Sequence, residues 1–96
     1  MIRWHPRARE EFREAIDYLI TEASQAIAGD FAACVQASLQ LIERHPSIGT
    51  PLAGKARRLT VRHFTYALIY RVHDDGLQIV ALAHQHRRPG YWAKRR

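Results

Sequence analysis

The side chains able to act on a phosphate ester lie in the second half of the chain. Arg58, Arg62 and Arg71 fall on segments that read as neighbouring strands, and His84, His86, Arg87, Arg88 and Tyr91 follow directly on an apolar run. Guanidinium suits phosphate because its planar fork donates paired hydrogen bonds and keeps its charge at every accessible pH. If an RNA 2′-hydroxyl attacks the adjacent phosphate, the site needs a base, an acid and cations around the developing charge. His84 or His86 fits the base or the acid, Tyr91 fits the acid, and Arg88 with Arg62 fits the stabilising cations.

Plainer uses stand beside these. A histidine at a strand end is more often hydrogen-bonded or solvated than catalytic, Tyr91 and Trp92 suit packing of a C-terminal segment, and Arg71 can pair with a carboxylate inside its strand. Arg87 and Arg88, flanked by Pro89-Gly90, have no evident packing use. No cysteine lies near the two histidines and the only acids of that half are in a turn, which argues against a metal; no cofactor is expected.

The element that must deliver this tip is Leu77 to Ala83, a run with hardly a polar group. Apolar on both faces, it reads as a strand covered on both sides and as the centre of a sheet. Asp74-Asp75-Gly76 before it is a hairpin turn, and Pro89-Gly90 follows it. Met1 to Trp4 alternates and ends at His5-Pro6, which suits an edge strand followed by proline at the first helical position.

Ala8, Phe12, Ala15, Ile16 and Leu19 then recur at helical spacing and leave Arg7, Glu10, Glu11, Arg13, Glu14 and Asp17 on a face that needs only water. Ser24 is an N-cap for a second helix, with Ile27, Phe31, Cys34, Val35, Ser38, Leu39 and Ile42 as its buried stripe, running to about His45. Lone Cys34 on that stripe behaves as a small hydrophobe. Pro46 to Gly54 has too many breakers for either element and reads as a loop. Lys55 to Arg62 alternates as a strand with one wet, cationic face, and Phe64 to His73 is another. The order is β-α-α-β-β-β, an α+β domain in which a helical hairpin covers one face of a small, mostly antiparallel sheet. The other face is expected to be free, concave and basic.

The 96 residues support one domain spanning 1–96 with one modest core. No window approaches the roughly 18 apolar residues of a membrane span, and no leader precedes Arg3 and Trp4, so a cytoplasmic protein with no membrane partner is expected. The net charge of +6 is unevenly spread. Residues 1–54 hold five Lys/Arg against seven Asp/Glu, net −2, and residues 55–96 hold ten against two, net +8. A basic sheet half points to a polyanionic or acidic partner, so a small nucleic-acid-binding module stays among the readings.

One combination of features resembles a known family. A short strand, a helical hairpin, a Pro-x-x-Gly-x-Pro loop (Pro46 to Pro51), a Tyr-x-Leu-Ile-Tyr-Arg-Val strand, a hairpin turn and Ala-His-x-x-Arg-Arg-Pro-x-Tyr-Trp are similar, in order and spacing, to the RelE/ParE superfamily of type II toxin-antitoxin toxins. The resemblance covers Ile2 to about Trp92. It implies a growth-inhibiting toxin, neutralised by a cognate antitoxin whose acidic or amphipathic C-terminal segment would suit the split charge.

In RelE-type toxins, which cut mRNA on the ribosome, an arginine late in the fourth strand, basic residues before the second and a C-terminal tyrosine take part. By order these fall on Arg88, on Lys55 or Arg58, and on Trp92 with Tyr91 beside it. The third-strand arginine of that branch falls on Ala67. The ParE-type branch shares the fold, lacks the nuclease set and poisons DNA gyrase, so Ala67 tilts the expectation toward gyrase, with ribosome-dependent mRNA cleavage as the alternative. Lys55, Arg71, Arg87 and Trp92 are then expected to contact the target.

Overall fold

A computed structural model describes residues 1–96. The elements are β1 (Ile2–Trp4), α1 (Pro6–Glu22), α2 (Gln25–Arg44), β2 (Thr50–Pro51), β3 (Ala56–Thr60), β4 (Tyr66–His73) and β5 (Gly76–His84). They form a five-stranded sheet in the order β1-β5-β4-β3-β2, in which only β1 and β5 run parallel. This is the expected α+β arrangement. No helix is long and apolar enough to cross a membrane.

Local chemistry sets the helix ends. Pro6 opens α1, and the His5 ring accepts a hydrogen bond from the Arg7 amide at 3.0 Å. Ser24 Oγ accepts from the Ile27 amide at 3.0 Å, so α2 begins where a capping serine places it. The stripe of α2 is buried at Phe31, Val35, Leu39 and Ile42, whereas Ile27 at its start stays exposed.

Three segments depart from the expected elements. The loop after α2 contains β2, which pairs Thr50 with Arg58 and Pro51 with Arg57. Gly54 and Lys55 then turn the chain through the left-handed region at φ 71° and 59°. β3 stops at Thr60 because His63, also left-handed at φ 69°, reverses the chain and leaves Phe64 in the turn. The Phe64 ring still reaches the core, 5.0 Å from Phe31.

A bulge in β5 explains its two-faced apolar run. Ile69 opposes Ala81 and Tyr70 opposes Ile79, so Val80 has no partner across the ladder. The extra residue resets the alternation: Leu77, Ile79 and Leu82 join the core under the helices, and Val80 and Ala81 join a second cluster on the opposite face. That face is not free, contrary to the expectation from the sequence. Trp92, 6% exposed, folds back over Ala56, Ile69, Val80 and Ala81, so the C-terminal segment forms a partial third layer.

The loop before β2 is pinned from inside. The fully buried Tyr70 hydroxyl donates to Pro46 O at 2.7 Å and accepts from the Gly49 amide at 2.9 Å. A Cβ on Gly49 would lie 2.8 Å from that oxygen, so only glycine fits. Arg57 Nη1 donates to the carbonyls of Ser47 and Gly49. Tyr70→Phe leaves a buried amide and a partly buried carbonyl unpaired and is expected to cost about 2 kcal/mol, read as a lower urea midpoint at unchanged slope. A loss below about 0.5 kcal/mol would mean that water replaces the phenol.

Candidate functional site

β5 ends in a turn built by its own histidine. His84 Nδ1 accepts from the His86 amide at 3.1 Å, which leaves Nε2 to donate to Thr65 Oγ1 at 3.1 Å. Its ring meets Tyr66 edge-on at 5.1 Å, and the Arg87 amide closes the turn on His84 O. Both ring nitrogens of His84 are therefore engaged in positioning the arginines that follow.

Beside this turn lies a cleft of about 180 Å³, with Leu52, Ile69 and Ala83 among its apolar lining. Arg58, His84, Arg87, Arg88, Tyr91 and Trp92 border it, so six of the ten sequence candidates are brought together. Arg58 arrives from β3 and the rest from the end of β5 and the segment after it. Arg87 stacks on Tyr91 with its guanidinium carbon 3.9 Å from the ring centroid, and this cation–π contact holds the arginine flat along the rim.

The other four candidates lie outside this cleft. Arg62 is exposed in the turn after β3, and Lys55 borders a separate depression with Pro46 and Tyr70. His86 turns its ring toward Gln85. Arg71 spends its donors on backbone, giving Nη1 to Arg95 O at 2.8 Å, Nη2 to Ala93 O and Nε to Gly54 O, and it lies over Trp92 at 5.7 Å. It straps the C-terminal segment to the sheet. No three His, Cys, Asp or Glu side chains gather at ligand distances.

The residue that sequence reasoning missed is Glu11, assigned above to the wet face of α1. Its carboxylate accepts from Tyr91 Oη at 2.7 Å, from Arg95 Nη1 and Nη2 at 2.8 and 3.1 Å, and from the Leu82 amide at 3.1 Å. The Glu11 and Arg95 side chains are 15% and 11% exposed, so the pair is largely withdrawn from water. A signal existed: Glu11 is three residues after buried Ala8 and four before buried Ala15, on the inward stripe of α1.

The network fixes protonation. Burial alone would raise the Glu11 pKa, but the hydrogen bonds from Arg95, Tyr91 and the Leu82 amide, with the Arg95 charge, together hold it below the usual carboxylate range. Burial, and then donation to Glu11, push the Tyr91 phenol well above the ordinary tyrosine range. Tyr91 thus keeps its proton, already committed to Glu11. To act as a general acid it would have to surrender that bond.

The comparisons with known proteins agree with this architecture. A family described as the ParE toxin of type II toxin-antitoxin system, parDE, matches residues 2–89. Among solved structures, the chain is similar to one titled "Chromosomal ParDE TA system from P. aeruginosa". The TM-score is 0.75 and the identity 14%, over 86% of this chain and 92% of that chain, a likeness of fold. No curated protein matches the sequence.

Proposed function

The chain belongs to the ParE toxin family of type II toxin-antitoxin systems, and from that premise we propose that it arrests growth by poisoning DNA gyrase and is silenced by a cognate antitoxin. The observation that carries gyrase over ribosome-dependent cutting is Ala67. Where the nuclease branch by resemblance has an arginine, this chain has a methyl group with no exposure, locked between Thr60 and Ala83 on the neighbouring strands. A cation there has neither room nor solvent. The engaged Tyr91 proton supports the same reading.

Under this proposal Arg58, Arg87 and Arg88 at the cleft rim contact the target, with Lys55 and Arg62 as outlying cations. Arg71 and Trp92 act by holding the segment in place. Capture by an acidic antitoxin is supported by the unequal charge of the two halves. Tyr18, Ile20, Ile27 and Leu41 are apolar side chains left exposed on the helices, a surface suited to an amphipathic segment.

The test is direct. Purified protein added to gyrase and supercoiled plasmid is expected to yield linear DNA after proteolysis, while mRNA in a translation reaction with purified ribosomes keeps its 5′ end. Arg58→Ala and Arg88→Ala should each raise the concentration needed for cleavage complexes roughly tenfold, as for one charge-assisted bond of about 1.5 kcal/mol. Cuts confined to translated mRNA, lost in Arg88→Ala, would replace gyrase with the ribosome as the target.

A further inference from the structure

A second, wider cleft of about 680 Å³ lies on the other side of the Arg87-Arg88 turn. His5 and Arg7 come to it from the start of α1, Arg87 and Arg88 from the turn after β5, and Lys94 and Arg96 from the C-terminus. Three segments distant in sequence thus converge, and no Asp or Glu side chain lines the cleft. Arg95 also borders it, but its charge is already matched by Glu11. The remaining cations have no ion-pair partner in the structure: the only other salt bridge is Arg3 with Asp75. Like charges gathered together repel one another, so an anion bound there would stabilise the arrangement.

We infer that this cleft grips the phosphodiester backbone of a nucleic acid, through Arg7, Arg87, Arg88, Lys94 and Arg96. Its size exceeds what a single phosphate fills, and cations distributed along it suit a run of phosphates. Its lining argues against an acidic protein segment: of eight bordering residues only Tyr91 is hydrophobic, whereas peptides dock through buried aromatic and aliphatic anchors. Arginine dominates, and arginine forks pair with phosphate oxygens in two-point contacts. His5 reports the local field, since burial and then the charges of Arg95 and Arg7 hold its pKa below the usual histidine value. The inference does not rest on gyrase, because bare nucleic acid is the probe.

The experiment is fluorescence anisotropy of the full chain with a labelled DNA duplex and, separately, a labelled single-stranded RNA, over 50 to 200 mM KCl. Engagement of about four phosphates predicts a slope near −3.6 in log K against log salt for duplex, so affinity falls roughly 100-fold across that range. The triple variant Arg7→Gln/Arg88→Gln/Lys94→Gln should flatten the slope by about 2.7. Arg9→Gln/Arg13→Gln/Arg44→Gln, an equal charge change at residues that do not line the cleft, should retain it to within about 0.9. Preference for duplex or for single strand supports the inference and identifies the source. Equal behaviour of the two triple variants, a wild-type slope shallower than about −1, or tighter binding of an oligoglutamate than of either nucleic acid would overturn it. Thermal melts of both variants by circular dichroism establish that they are folded.

Discussion

Glu11→Ala is expected to destabilise the protein by about 3 kcal/mol, the loss found when one partner of a largely buried ion pair is removed and the other charge is left behind. Arg95, Tyr91 and the Leu82 amide would each lose an acceptor at once. In a domain of this length the change corresponds to a fall in Tm of roughly 15 °C. The pH dependence follows from the lowered Glu11 pKa. A depressed carboxylate contributes stability that is complete above its unfolded value of about 4.3 and is lost as pH falls through the lower folded value. The gap between wild type and Glu11→Gln should therefore be widest near neutrality and shrink below about pH 4.3. A gap that stays constant down to pH 2 would show that Glu11 acts through shape alone. In a double-mutant cycle with Arg95→Ala, the two single losses should not add, because each already breaks the same pair.

The second large effect lies under the helical hairpin. Phe31 is fully buried and its ring stands 5.0 Å from Phe64, 5.1 Å from Tyr66 and 6.1 Å from Phe12. It is the point where α1, α2, β4 and the turn before β4 meet. Phe31→Ala removes the ring and opens a cavity among side chains already held by one another, at a cost of about 3–5 kcal/mol. Against a total of roughly 5–15 kcal/mol for a small domain, that is enough to leave a sizeable unfolded fraction at 37 °C. Phe31→Leu keeps most of the volume and should lose less than about 1.5 kcal/mol. Urea unfolding followed by tryptophan fluorescence reads both. A loss near 1 kcal/mol or less for Phe31→Ala would mean that the site collapses around the gap.

The sequence made legible what periodicity and local chemistry control. Ser24 as cap, Pro6 as first helical residue, the apolar stripe of α2 and the hairpin at Asp74-Asp75-Gly76 each act within a few residues, so spacing alone locates them. The two-faced run Leu77 to Ala83 was legible as buried on both sides, but what covers the second side was not. Trp92 meets Val80 and Ala81 together because a bulge resets the alternation of β5, and within a run apolar at nearly every position that reset cannot be read from the sequence. Glu11 was hidden for a related reason. A carboxylate among Arg7, Glu10, Arg13 and Glu14 looks solvated until the chain end 84 residues away supplies its arginine. The gathering of Arg58, His84, Arg87 and Arg88 was foreseeable from strand order, whereas the departure of Arg71 to strapping depends on where the last four residues run.

β1 has three residues and β5 has nine, so β1 flanks β5 only as far as Ile79. Past that point the outer rim of the sheet's most apolar strand would present bare amides and carbonyls, the template on which a second copy adds a strand of its own. Two of those groups are taken: the Leu82 amide by Glu11 and the Val80 carbonyl by Arg95. Side chains thus stand in for the missing length of β1. The same pair that anchors the chain's end thus also blunts an open strand edge, leaving fewer free backbone groups there for another strand to pair with.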